Sequence, residues 1–386
     1  MRSIPLFIVV LILGLAAAPC LAQEVTVGDA AGLAAAIEAA NNGGPATILL
    51  QDGDYTLSNG LWVSRAGVTV RSVSGNRDAV VIQGQGMWGG VTHIFWVAAN
   101  DFTVRDVTLG NVANHAIQIH GDLGAGNATV SNCRLFDTYE QMIKISFNFD
   151  APETFSVGGL IENCLFEYTA GVGPQWYIGG IDGHAAQNYV IRNNTFMNIA
   201  SPSEDVAEYA IHFWSNAQNI HIEFNRILNC DRGIGLGMGQ DRGTVGGNIR
   251  NNFIYHNTSE GFADVGIALE SASGAQVYNN TIFMEHSYQN AIEYRFAATA
   301  GGMIANNLTN RAITSRDGGT SIVTNNVTSA QAGWFVNPAG GDLHLSSPVA
   351  EVVDQGLFIE DFLFDIDGDP RPTGGGIDIG ADEWVN

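Results

Sequence analysis

"YVIRNNTFM", Tyr189 to Met197, decides the fold because it keeps returning. An aliphatic residue followed two or three places later by asparagine recurs in "ATVSNCRLF" (128–136), "GLIENCLFE" (159–167), "IHIEFNRIL" (220–228) and "GNIRNNFIY" (247–255). It recurs again in "AQVYNNTIF" (275–283), "GMIANNLTN" (302–310) and "SIVTNNVTS" (321–329). The aliphatic positions are Val130, Ile161, Ile191, Ile222, Ile249, Val277, Ile304 and Val323, and most intervals lie between 26 and 31 residues. A period of that length, punctuated by turn residues and lacking helical spacing, predicts a solenoid of parallel strands.

Each coil carries a second short strand in the same register: "HAIQIH", "QMIKIS", "GGIDGH", "YAIHFW", "RGIGLG", "VGIALE", "NAIEYR" and "RAITSR". Stacked coils place equivalent residues about 4.8 Å apart, so each position becomes a column. Asn194, Asn225, Asn252, Asn280, Asn307 and Asn326 form one inward column, where amides can bond to each other and to the turn backbone. Cys133 and Cys164 fall in the same column in earlier coils, and the Asn-x-Ser/Thr triplets there read as ladder residues, not glycosylation sites. With Cys230 outside any close pair, the cysteines read as small buried hydrophobes; a stacked Cys133–Cys164 disulfide is the second reading.

The ends are of another kind. "IPLFIVVLILGLAAAP" followed by "CLA" reads as a signal peptide cleaved near Ala22, so a secreted, extracellular or periplasmic protein is expected, with no membrane insertion. The expected division is 1–22 signal peptide, 23–60 N-terminal cap and first strand, 61–335 coils, and 336–386 closing segment. Near the end, Asp365, Asp367 and Asp369 could hold Ca2+, although a turn made by side-chain to backbone bonds is the preferred reading. The formal net charge of −23, which becomes −24 without Arg2, argues against nucleic acid as a partner.

On these repeats the chain resembles the right-handed parallel β-helix proteins of the pectate-lyase-like fold. The fold class expected is therefore all-β, a single-stranded right-handed parallel β-helix solenoid. "VGDAAGLAAAIEAANNGGPATILLQDGDYTL" is similar to the capping helix and first strand of that family, and "DIDGDPRPTGGGIDIGADEW" to a closing segment of exported members.

Strand alternation sends Ile117, Ile143, Ile181, Ile211, Ile234, Ile267 and Ile292 inward and their neighbours toward solvent. One outward column runs Gln118, Lys144, Asp182, His212, Gly235, Ala268, Glu293; the other runs His120, Ser146, His184, Trp214, Gly237, Glu270, Arg295. Lys144 is the only lysine in the chain. Polar side chains, an exposed Trp214 and a bare glycine patch at "GIGLGMG" predict a cleft for an extended polysaccharide, with the indole stacked on a sugar ring. Gln118, His120, Trp214, Glu270, Glu293 and Arg295 are the expected substrate contacts, Arg232 reads as a structural ion pair, and the protein is expected to be a monomer.

Abstracting the C5 proton of a uronate needs a cation for its carboxylate, a base and an acid. Lys144 could supply the cation, His184 or His212 the base and Tyr177 the acid, with Asp182 orienting a histidine or bonding the substrate carboxyl when protonated. These residues resemble the alginate (mannuronan) C5-epimerases, which carry a tyrosine, an Asp-Pro-His motif and a lysine from the preceding coil. Here Gly183 stands in place of the proline, and Tyr177 is further from Asp182. A lyase of the same fold is equally compatible, with Ca2+ held by Asp182, Glu270 and Glu293 as an option but no certain cofactor. A glycoside hydrolase, which needs paired carboxylates, and a non-catalytic polysaccharide-binding or surface protein are the alternatives.

Overall fold

The computed structural model describes residues 24–257, 263–360 and 363–385, so the expected signal peptide lies outside the described residues. Among those residues, short strands gather into parallel sheets of twelve, ten, ten and five strands. Within each sheet the neighbours are successive coils, which is the arrangement of a right-handed parallel β-helix. The repeat register is the one the sequence implies: Val130 pairs with Ile161, and the column continues through Ile191, Ile222, Ile249, Val277 and Ile304 to Val323.

The asparagine pairs serve two purposes. The first member, as in Asn193, Asn251, Asn279, Asn306 and Asn325, has φ between 49° and 57°. Asparagine tolerates this left-handed turn better than most residues. The second member builds the ladder: Asn225 accepts from the backbone N–H and the amide of Asn194 at 3.1 and 3.0 Å, and Asn252 does the same for Asn225 at 3.0 and 3.0 Å. Asn280, Asn307 and Asn326 continue the chain of bonds. Cys164 occupies the next rung, where its N–H donates to Asn194 at 2.9 Å, and Cys133, Cys164 and Cys230 are all buried free thiols.

A helix, α1 (Ala30–Asn41), is started by Asp29, whose carboxylate accepts from Gly32 N–H at 2.7 Å. It buries Leu33, Ala36, Ile37 and Ala40 on the core. No helix among the described residues is long and apolar enough to cross a membrane. At the other end the tail folds back on the outside of a sheet, so that Phe253, Tyr255, Phe283 and Leu308 pack with Phe335, Leu343, Val352 and Ile379. Asp365 makes a turn there by accepting from the N–H groups of Asp367 and Asp369 at 2.9 and 2.8 Å. Asp367 itself pairs with Arg226 at 3.1 Å.

One ten-stranded sheet carries the candidate site. Its strands are β1 (Leu61–Val63), β2 (Phe95–Val97), β3 (Ile117–Ile119), β4 (Ile143–Ile145), β5 (Ile181–His184), β6 (Tyr209–Trp214), β7 (Arg232–Leu236), β8 (Ile267–Glu270), β9 (Asn290–Arg295) and β10 (Ala312–Arg316). The isoleucine column from Ile117 to Ile292 is wholly buried.

Candidate active site

Register brings the expected residues together. Gln118 on β3 pairs with Lys144 on β4, Lys144 with Asp182 on β5, Asp182 with His212 on β6, and His184 with Trp214. Each step is one inter-strand spacing, so side chains as far apart in sequence as 144 and 212 touch one carboxylate.

Asp182 is the centre of the group. The Lys144 ammonium donates to its Oδ2, and the Trp214 indole N–H donates to its Oδ1 at 2.6 Å. His184 Nε2 stands 3.7 Å from Oδ2 and His212 Nδ1 3.9 Å from Oδ1. Burial alone would raise the Asp182 carboxyl, but the Lys144 ammonium and the flanking histidines hold it well below the usual carboxylate range. Lys144 is shifted upward despite its burial because Asp182 lies against it. The two imidazoles move the other way: burial lowers His184, and lowers His212 to about 4, so both are neutral near pH 7. His212 Nε2 sits 3.1 Å from the carbonyl of Gly237 and therefore carries the ring proton, leaving Nδ1 as a buried lone pair with no hydrogen-bond partner. His184 Nδ1 lies 3.2 Å from Ser215 Oγ.

Several expectations need correction. The outward columns do not face open solvent here: Asp182, His184, His212, Trp214 and Glu293 are all buried, because segments between strands fold back over the sheet. Trp214 is only 5 % exposed and cannot serve as an open platform for a sugar; its ring stacks on His212 at 5.2 Å while its N–H holds Asp182. The glycine patch is partly filled too, since a side chain at Gly235 would meet the rings of Tyr209 and His212 at 2.8 and 2.9 Å. Beyond it, a cavity of about 240 Å³ opens over Gly237 and Ala268, reaching Glu208 and His212 on one side and Arg295 and Arg316 on the other. Glu270, Glu293 and Arg295 belong to that second region: Glu270 pairs with Arg295 at 3.0 Å and Glu293 with Arg316 at 2.9 Å. Arg232 does form an ion pair, with Asp264 at 3.3 Å.

His120 lies N-terminal to the group and stacks on Trp96 at 5.5 Å, beside Trp62. Tyr177 is half-buried on a loop beside Lys144, and burial raises its phenol, already protonated at neutral pH, further above its ordinary value. Gly183, which replaces the proline of the resembled motif, points into the core, where a side chain would collide with Phe213 at 2.5 Å.

The three donors named for Ca2+ on this sheet do not come together. Asp182, Glu270 and Glu293 are not grouped, and the last two are taken by arginines. Asp182, Glu208 and His212 do offer ligand atoms within 4.8 Å of one another. That set includes an imidazole and already faces an ammonium, which does not suit a hard, oxygen-seeking cation.

Sequence reasoning missed Glu208, which precedes β6 in "EYAIHFW". It accepts from Gln141 Nε2 at 2.9 Å, and burial together with the Asp182 charge pushes its carboxyl up to about 7. Its glutamate type and its place just before the strand were readable, but its proximity to Asp182 was not. Between pH 4.5 and 7 the folded chain holds a proton on Glu208 that the unfolded chain has lost, so this residue subtracts stability as pH rises through that window. Glu208→Gln should therefore gain on the order of 2 kcal/mol over the parent at pH 8, after discount for partial exposure, and nothing at pH 4. Urea unfolding at both values checks this; an equal difference at the two would refute it.

The fold and this buried ion cluster on stacked coils define a class, the parallel β-helix proteins. The profile described as "Right handed beta helix region" matches residues 40–249, and the chain belongs to that family. No curated protein matches it in sequence. Among solved structures, the pectate lyase Pel9A is similar with a TM-score of 0.50 and 16% identity, over 88% of each chain. An alginate lyase from Paenibacillus sp. str. FPU-7 gives 0.51 and 16% identity over 79% of this chain and 99% of that one. PfbA, a surface adhesin of Streptococcus pneumoniae, gives 0.51 and 15% identity over 79% and 92%. At such identities the shared property is the fold.

Proposed function

We propose that the protein is an exported enzyme that withdraws the C5 proton of a uronate in an acidic polysaccharide, as a lyase or a C5-epimerase. The carrying observation is the chain's single ammonium held on Asp182 beside two neutral imidazoles from adjacent coils. Removing the C5 proton leaves an electron pair that must spread into the adjoining carboxylate, and a fixed cation lowers the cost of that charge. Lys144, part of whose side chain remains accessible, supplies it. Asp182 is a positioning residue: it holds the ammonium and the indole and, being ionised, does not itself bond the substrate carboxyl as an acid.

His184 takes the proton in this reading: its ring is neutral and it is 7 % exposed, against 3 % for His212. Tyr177, protonated, returns a proton. If it protonates C5 from the opposite face, the sugar is inverted; if the electron pair instead forms the C4–C5 double bond, O4 leaves with that proton and the chain is cut. The pectate and alginate lyases among the solved structures of the same fold are compatible with a uronate substrate, and the adhesin shows why chemistry must be measured.

Incubation with alginate and pectate in deuterated water is the test. Deuterium at C5 without cleavage marks the epimerase, and ultraviolet-absorbing unsaturated ends mark the lyase. New reducing ends without that absorbance would replace the proposal with a hydrolase, and binding without any product would replace it with a scaffold.

A further inference from the structure

Over the ring of Trp214, whose N–H holds Asp182, lies Arg242, a residue the sequence did not single out. The other described arginines all hold carboxylates or backbone carbonyls, as Arg134 holds Glu167, Arg250 holds Glu223, and Arg65 holds the carbonyls of Ala40 and Gly44. Among the described residues the Arg242 guanidinium has neither an ion pair nor a hydrogen bond. It lies over two rings instead, 5.2 Å from the centroid of Trp214 and 5.5 Å from that of Phe149. Aromatic faces fix a guanidinium in place without cancelling its charge. In a chain of net charge −23, a cation left without an acid is exceptional.

The surroundings suit a sugar acid. Arg242 lines a cavity of about 750 Å³ together with Phe149, Ser215, Asn216 and Thr244. That volume falls in the range of ligand pockets. Thr244 is buried with its hydroxyl unpartnered, and Ser215 is the residue bonded to His184, so the cavity adjoins the proposed base. Glu153 and Asp241 also lie on its wall, and neither is paired with Arg242.

We propose that Arg242 is a second carboxylate receptor, so that the substrate is a run of consecutive uronates and not a lone uronate in a neutral chain. This rests on the C5 reading for the position of the reacting sugar. Arg242 lies on the coil after Trp214, its carbonyl accepting from the Ser215 N–H, so its backbone is three rungs, about 14 Å, from that of Lys144 along the solenoid, and its guanidinium reaches over the Trp214 ring. Lys144 faces the reacting residue's carboxylate, and Arg242 receives that of a residue further along, through a two-pronged hydrogen bond that a guanidinium matches well.

The test compares binding of oligomannuronate and oligogalacturonate, and of the same oligomers with carboxyls reduced to alcohols, by calorimetry at two salt concentrations. Arg242→Gln should weaken the acidic oligomers about tenfold or more and flatten the salt dependence, leave the reduced oligomers unchanged, and be partly rescued by Arg242→Lys. Equal affinity of parent and Arg242→Gln for the acidic oligomers overturns the inference, as does an equal loss on the reduced ones or no affinity of the parent for any acidic oligomer. If Arg242→Gln loses affinity in a protein that never exchanges C5 hydrogen, the receptor stands and the catalytic reading falls. If C5 exchange continues in that variant with an unchanged KM, the opposite holds.

Discussion

Lys144→Met is expected to abolish C5 exchange, lowering turnover by about 10³-fold or more, the scale of losing a preorganised charge at a developing anion. The same change should destabilise the fold by about 3 kcal/mol, because it strands the Asp182 carboxylate in the interior with only an indole donor and neutral imidazoles around it. The two effects separate in the double variant Lys144→Met/Asp182→Asn. Removing the carboxylate's charge as well should restore most of the stability, since the carbonyl of the introduced amide can still accept from Trp214, yet turnover should remain lost. Urea unfolding and solvent-exchange rates on the four proteins of the cycle measure both. Turnover within tenfold of the parent in the double variant would remove Lys144 from the chemistry and leave the pair a structural element.

Asn252→Ala should cost about 4 kcal/mol, the largest loss expected from a single change in the ladder. Asn252 is fully buried, and its oxygen accepts two bonds from Asn225. Its amide donates to the carbonyls of Ile222 and Arg250 and to the Asn280 side chain at 3.0, 2.9 and 2.9 Å. Truncation leaves several of those groups buried without partners, at about 1–3 kcal/mol each before relaxation. Asn252→Asp should not rescue it, because a carboxylate there would have to be buried and could not donate. A midpoint of urea unfolding for Asn252→Ala within experimental error of the parent would show that the ladder is incidental to stability.

How much of this was legible beforehand follows from geometry. In a parallel solenoid, residues at one place in the repeat must lie one inter-strand spacing apart, so listing the repeats already lists the columns. That is why Lys144, Asp182 and His212, and His184 with Trp214, could be grouped from the letters alone, and why Asn194 to Asn326 could be read as one ladder. The doubled asparagines concealed two requirements, a left-handed turn and a bonding rung, and "EFN" shows them separately: Phe224 takes the turn at φ 58° and Asn225 the rung.

Burial was not legible. A strand's alternation says which side chains leave the core, but what covers them depends on loops whose paths carry no repeat. Segments from neighbouring coils enclose Trp214, bring Phe147 to within 5.9 Å of His184, and set Glu208 beside Asp182. The burial that follows holds the imidazoles neutral and lifts Glu208 toward neutrality.

The amino-acid sequence by itself determined the coil, its register and the company that Lys144 keeps, because strand pairing is local, periodic and enforced by every backbone hydrogen bond along the solenoid. Tertiary structure alone decided that Asp182 is a buried counter-ion, that Trp214 is a hydrogen-bond donor and not a sugar platform, and that Arg242 is left without an acid. Those outcomes depend on where irregular loops come to rest over the sheet, and on the desolvation and charge pairing that result, which no spacing of letters encodes.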